Sequence, residues 1–226
     1  MLHITSICNA GVYLETAHSG LLLDGISTDS ALYTGTSKPL FDEMLRRSGM
    51  FSRLQGCIFS HQHWDHFDAD RVSQLAAVQP GLKFFVQDDK KFPDGIIQIG
   101  AFSVYYSGVP HIPLPEAASL PAHCVFLIRA AGKIVYAAAD SSPEPAMHQR
   151  VLGSTVPDIF LLAMPHLANA PFCAWLCALK PKHIIVNHIP KNQKDACLRK
   201  IQRVCARCGN KLPPVSVVTS YPQRLE

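Results

Sequence analysis

No apolar run in this 226-residue chain approaches the roughly 18 residues that a membrane-spanning helix requires, so no such helix is expected. The first residues, Met1-Leu2-His3-Ile4-Thr5, lack the cationic start of a secretory signal, and the expected compartment is the cytoplasm. Long runs of like charge are missing too. The net charge of +4 is spread over short pairs such as Arg46-Arg47 and Lys90-Lys91, which gives no reason to expect nucleic acid or a membrane as partner. Nor is there a Gly-x-Ser-x-Gly elbow, which argues against a serine-type esterase. The chain has instead 48% hydrophobic and only 17% charged residues, the balance of a compact protein. Its length suits one domain over residues 1–226, able to bury roughly 70% of the surface its unfolded form exposes.

Eight cysteines could suggest a disulfide framework, yet most lie in apolar stretches such as Gly56-Cys57-Ile58-Phe59 and His123-Cys124-Val125-Phe126. They read as small buried hydrophobes in a reducing compartment. Cys205-Ala206-Arg207-Cys208 has zinc-ribbon spacing, with Cys197 upstream, but no second pair at a matching distance completes a closed tetrahedral site.

Apolar runs divided by a Gly-containing turn predict strands over Leu2–Ile7, Val12–Thr16 and Leu21–Asp24. From Pro39 the spacing becomes helical, with Leu40, Met44 and Leu45 on one face and Gly49 as the stop. A buried strand, Cys57–Ser60, leads into a histidine-rich loop, after which Asp68 caps a helix through Val72, Leu75, Ala76 and Val78. The second half repeats this plan. A hairpin, Val125–Arg129 with Ile134–Tyr136, runs out into Asp140. A polar helix over 143–152, a strand Ile159–Leu162, a helix over 171–179 and a strand His183–Val186 follow, ending at Asn187-His188. Each half thus reads hairpin, Asp, helix, strand, His. The expected fold is α/β, two mixed β-sheets packed face to face with helices outside and the strand ends converging.

The segment His61-Gln62-His63-Trp64-Asp65-His66 places four potential metal ligands directly after an apolar strand. Imidazole and carboxylate together suit zinc and also iron or manganese. His61 and His63, as alternate residues, project together from extended chain, while Asp65 and His66 can turn toward a second position, so one loop can serve two ions. Trp64 and Phe67 flank the cluster and are expected to wall the site.

The stretch 61–66 fits the H-x-H-x-D-H motif of the metallo-β-lactamase superfamily, and the repeated hairpin-Asp and strand-His plan resembles its four-layer αβ/βα sandwich. The resemblance runs from Leu21-Leu22-Leu23-Asp24-Gly25 to Asn187-His188, and is nearest to the compact UlaG-like and ribonuclease Z-like hydrolases. It implies one metal site of His61, His63 and a third histidine, another of Asp65, His66 and His188, and Asp140 as the bridge. Two positions depart from the pattern: Ala139 stands where glycine is usual, and Val109-Pro110-His111 where Gly-His is usual. His111 and His123 compete for the third histidine. His111 is the expected ligand because it follows the strand Phe102–Tyr106 in a Pro-rich loop, whereas His123 abuts the next strand.

The activity implied is metal-dependent hydrolysis. Two divalent ions, zinc first with manganese or iron as alternatives, would activate water to attack an ester, lactone, amide or phosphodiester bond of a small molecule, with Asp65 orienting the nucleophile. Asp140 has an alternative reading as a helix cap, and His188 as a satisfied core histidine. Asp24 either fixes a histidine tautomer or forms a turn. His166 either donates a proton to the leaving group, contacts substrate, or is a plain loop residue. His3, His18, His148 and His183 read as strand, turn or helix-surface residues. A nucleic-acid-processing enzyme ranks below the small-molecule hydrolase, because the length leaves little room for a basic arm. A noncatalytic metal sensor of the same fold is the third reading. Self-association is left open, and specificity is expected to reside in loops 25–38, 88–95 and 112–122.

Overall fold

The alternating apolar residues at the start of the chain form three short antiparallel strands, β1 (His3–Ser6), β2 (Val12–Glu15) and β3 (Gly20–Leu23). The structure, a computed structural model, describes residues 1–87, 94–113 and 120–225. Helix α1 (Lys38–Arg46) carries proline in its first turn, where the missing N–H is not needed, and stops at Arg47, whose φ of 50° is a left-handed cap. It returns the chain to β4 (Leu54–Phe59), parallel to β3. The Asp68 carboxylate then accepts the Arg71 N–H at 3.0 Å and starts α2 (Ala69–Val78), which leads to β5 (Lys83–Val86), parallel to β4.

A second sheet begins as an antiparallel meander of β6 (Gly95–Ile99), β7 (Phe102–Gly108), β8 (Cys124–Ala130) and β9 (Lys133–Ala137). The β8–β9 turn is Ala131-Gly132, with φ of 49° and 72°, the positive pair that a tight two-residue hairpin requires. Then follow α3 (Pro145–Leu152), β10 (Ile159–Ala163), α4 (Met164–Ala168), α5 (Ala170–Leu179), β11 (His183–Asn187), α6 (Lys194–Cys208), β12 (Val215–Val217) and β13 (Gln223–Arg224). The strand orders are β13-β1-β2-β3-β4-β5 and β12-β11-β10-β9-β8-β7-β6, with β9 through β12 parallel.

Apolar residues on the facing sides of the two sheets interlock: Ile4, Leu14 and Leu21 of the first meet Phe126, Val135 and Ile185 of the second. The outer face of the first sheet is covered by α1 and α2 through Phe41, Met44 and Leu75, and that of the second by α3 to α6 through Leu152, Phe172 and Ile201. This is the expected four-layer sandwich. Phe126 is fully buried, and truncation to alanine there should cost about 3–5 kcal/mol. No helix among the described residues is long and apolar enough to cross a membrane.

Four differences from the sequence reading follow from packing. The two halves are not equal repeats, because in the second α4, α5 and β11 stand between β10, the parallel neighbour of β9, and His188. Helix α6 went unexpected because its exposed faces are rich in Lys and Arg and its buried stripe is only Cys197, Ile201 and Val204. Phe67 does not wall the site; its ring packs edge-on against Phe59 at 5.0 Å, on the helix side of the first sheet. His148 is not a surface residue but fully buried under α3, where its Nδ1 lies 2.8 Å from the Tyr136 hydroxyl. Parts of loops 88–95 and 112–122 lie outside the described residues.

Candidate metal centre

In open parallel sheets, ligand-binding side chains gather beyond the carboxyl ends of the strands. Here Asp24 follows β3, the 61–66 loop follows β4, Asp140 follows β9 and His188 follows β11. Backbone pairing joins the two sheets at this end. The Cys124 N–H donates to the Ser60 carbonyl at 2.9 Å, which sets His123 beside His61. Loop 110–112 pairs with 140–142 through Ile112 N–H to the Asp140 carbonyl (2.8 Å) and Ser142 N–H to the Pro110 carbonyl (2.7 Å), which delivers His111 to Asp140. Asp24, Ala139 and His188 have φ of 49°, 46° and 57°. Asp and His tolerate the left-handed region comparatively well, whereas at Ala139 the Cβ is strained, which explains why glycine suits that position.

Two ligand groups result. His61, His63 and His111 form one, Asp65, His66, Asp140 and His188 the other, and within each the donor atoms lie no more than 4.8 Å apart. Ligands 2.0–2.2 Å from a tetrahedral ion are separated by about 3.3–3.6 Å, which provides a test of fit. In the second group the His66 and His188 Nε2 atoms are 3.1 Å apart, and they stand 3.3 and 3.2 Å from Asp140 Oδ2. Asp65 Oδ2 is 3.0 Å from His188 Nε2 and 3.8 Å from His66 Nε2. In the first, His61 Nε2 faces His63 Nδ1 at 3.0 Å. Asp140 reaches both groups, its Oδ2 also lying 3.8 Å from His111 Nε2. His111 Nε2 and Asp140 Oδ1 are buried without a hydrogen-bond partner, a costly arrangement that a bound cation relieves. The residues fit a pair of metal ions.

Hydrogen bonds behind the ligands fix their tautomers. As a carboxylate, Asp24 can only accept: its Oδ1 takes the Ser60 N–H and its Oδ2 the Ser60 hydroxyl, both at 2.7 Å. With that proton committed, Ser60 Oγ accepts from His61 Nδ1 at 2.9 Å, so the bare His61 Nε2 points into the first ligand group. On its other side Asp24 Oδ2 lies 3.1 Å from His66 Nδ1, an ion-pair contact that holds the Nδ1 proton there and turns His66 Nε2 toward the second group. One buried carboxylate thus orients a histidine of each group, and the turn alternative for Asp24 is also met, since its backbone is left-handed. His111 Nδ1 donates to the Ile112 carbonyl (2.7 Å) and His123 Nδ1 to the Val109 carbonyl (3.0 Å), leaving both Nε2 atoms bare. Only His111 joins a ligand group.

The protein's own charges prepare these groups. Burial holds His61 and His63 below the usual histidine range, and therefore neutral. Burial alone would raise Asp65 and Asp140, but His188 and His66 outweigh it and keep both carboxyls below their ordinary range. For His66, burial is overcome by Asp140 and Asp24, so its pKa is raised and a metal ion must displace its proton. Asp140 does not cap a helix; the residue before α3 is Glu144.

The two groups open on a cavity of about 510 Å³ walled by Tyr33, Trp64, Ile112, Pro113, Met164 and Pro165. No Lys or Arg is among the described residues lining it. His166 borders this cavity but is fully buried, and burial pushes its pKa down to about 3. Its Nδ1 donates to the Ala163 carbonyl at 3.3 Å and its Nε2 accepts from the Ser141 hydroxyl at 3.1 Å, which leaves no proton facing the cavity. Tyr33 was not anticipated as a site residue. Its ring lies edge-on to His188 at 4.6 Å, and burial, with the charges of Asp140 and Asp65, pushes its pKa up to about 12. The only sequence signal was its place in loop 25–38.

No family model matches the chain, and no curated protein matches it in sequence. Its fold is similar to that of a possible metal-dependent hydrolase from Veillonella parvula DSM 2008, with a TM-score of 0.69 and 13% identity over 100% of this chain and 99% of that one. It is also similar to CmlA, a diiron β-hydroxylase from Streptomyces venezuelae (TM-score 0.66, 13% identity, 99% of this chain and 54% of that one). A Thermotoga maritima protein of the metallo-β-lactamase superfamily aligns with a TM-score of 0.52 at 14% identity, over 96% of this chain and 98% of that one. The chain has the metallo-β-lactamase fold.

Proposed function

We propose that this protein is a metal-dependent hydrolase acting on a carbonyl ester or lactone of a small, largely apolar molecule. The observation that carries the reading is the pair of ligand groups, joined by Asp140 and opening on one cavity. Ions held there would supply Lewis acidity and would lower the pKa of water toward neutrality. Zinc is the proposed occupant, and iron the alternative raised by the diiron neighbour, since imidazole and carboxylate suit both.

The chain's own residues divide the remaining work. Asp65, kept ionised, accepts a hydrogen bond from the attacking water and orients it. Tyr33, kept protonated on the cavity wall, donates a hydrogen bond to the oxygen on which charge develops. Tyr33, Trp64, Met164 and Pro165 exclude water around the reacting group. His166 serves as a buried support for Ser141 instead of the proton donor. The described residues of the wall include no fixed cation to hold a phosphate, which favours carbonyl over phosphoryl substrates.

Metal analysis followed by a screen of esters, lactones, thioesters, amides and phosphodiesters tests this. The expected result is close to two ions per chain in the His/Asp centre and turnover of carbonyl esters above phosphodiesters, with both lost in Asp140→Ala. A stoichiometry near zero across Zn, Mn and Fe, or full metal content without turnover of any of these bonds, would overturn the reading.

A further inference from the structure

Cys173 and Cys177 stand one turn apart on α5, so both thiols leave the same helix face. The end of α6 lies against that face. It sets Cys208 Sγ 3.4 Å from Cys173 Sγ, and the sulfur atoms of Cys173, Cys177 and Cys208 all lie within 4.8 Å of one another. Cys205, one turn earlier on α6, is half-buried beside Cys208. The pair missing from the sequence around Cys205 and Cys208 is thus supplied across the helix interface, about 30 residues away along the chain, a separation that ribbon spacing does not anticipate.

We propose that Cys173, Cys177 and Cys208 form a separate site for a soft, closed-shell cation, Zn²⁺ or Cu⁺, with Cys205 or solvent on its open side. Three sulfurs each about 2.3 Å from one ion are separated by about 3.8–4.0 Å, so the trio needs only small rotamer adjustments to close on a metal. A disulfide needs sulfurs about 2.05 Å apart and would use only two of the three. The donor set is all sulfur, which selects against magnesium, calcium and manganese. Access also differs from that of the other thiols. Cys8, Cys57 and Cys124 are fully buried, whereas Cys177 and Cys208 are half-exposed and offer a path for the ion. Burial and the neighbouring thiols push Cys173 and Cys177 up, with Arg207 and Lys211 acting in the opposite sense, so an ion bound there displaces the thiol protons.

Cadmium titration of the reduced full-length protein, read by ultraviolet thiolate-to-metal charge-transfer absorbance, isolates this site, because the His/Asp centre offers no sulfur ligand. The band should saturate at one equivalent above the His/Asp centre in the wild type and persist in Asp140→Ala. It should be lost in Cys208→Ser and in Cys177→Ser, the latter at a half-exposed position that a folded protein tolerates, and retained in Cys197→Ser, buried outside the trio. Competition by Zn²⁺ and by Cu⁺ then identifies the preferred ion. Three results would overturn the proposal: no band in the reduced wild type, a band that survives both Cys208→Ser and Cys177→Ser, or a Cys173–Cys208 disulfide as the only product of the trio.

Discussion

Replacing Asp24 with Asn tests the support beneath both ligand groups with little disturbance of the backbone, because Asn accepts the left-handed conformation at φ 49° as readily as Asp. The amide oxygen can still take the Ser60 N–H, but an NH₂ group then occupies the place of Oδ2, which in the native protein faces both the Ser60 hydroxyl and His66 Nδ1. Two donors would meet at each contact. Ser60 must turn its proton toward His61 Nδ1, and His66 must give up its Nδ1 proton, so in both rings the hydrogen moves to Nε2, the atom each directs at a metal. Loss of such supporting contacts typically lowers metal affinity about 10–100-fold, or roughly 1.4–2.7 kcal/mol per site. Chelator competition should therefore show both equivalents weakened in Asp24→Asn. Ser60→Ala cuts only the path to His61 and should weaken the first site while sparing the second. Wild-type affinity at both sites in Asp24→Asn would refute the tautomer argument and leave Asp24 as a turn residue alone.

Three further expectations can be checked independently. Ala139→Gly removes the strain of a Cβ at φ 46°, worth about 1–2 kcal/mol, against about 0.5–1 kcal/mol of added chain entropy, so the melting temperature should rise by a few degrees; a fall would contradict the strain assignment. His111→Ala should lose an ion from the first group, whereas His123→Ala should keep both and change mainly stability; metal titration of the two variants decides between them. Burial pushes His148 down to about 4, so its folded form binds fewer protons than the unfolded chain between about pH 6.5 and that value, and its contribution to stability is full above about 6.5 and drains away as pH falls. Urea unfolding of His148→Gln should therefore show a shallower acid loss than the wild type, by up to about 1.4 kcal/mol per pH unit in that window, and parallel slopes would refute the assignment.

The sequence by itself determined the layered α/β plan and most of the ligand set. Strand period, helix period and the cap at Asp68 act over a few residues, and the ligands of the 61–66 loop are neighbours in the chain, so local pattern was enough to expose them. Asp140 and His188 were legible for a related reason, since each polar residue follows directly on an apolar strand. Whatever depended on contacts between distant segments was not legible. His111 was expected over His123 from its place in a Pro-rich loop, yet both rings offer a bare Nε2, and it is the pairing of loop 110–112 with 140–142 that brings His111 to Asp140. Asp24 gained its function from Ser60 and His66, more than 30 residues away, and His148 became a core residue because α3 turned it toward Tyr136. The convergence of Cys173, Cys177 and Cys208 rests on the packing of α5 against the end of α6, which neither helix encodes alone. Burial and side-chain direction are properties of the packed layers, and a linear pattern carries only the residue types that those layers then place.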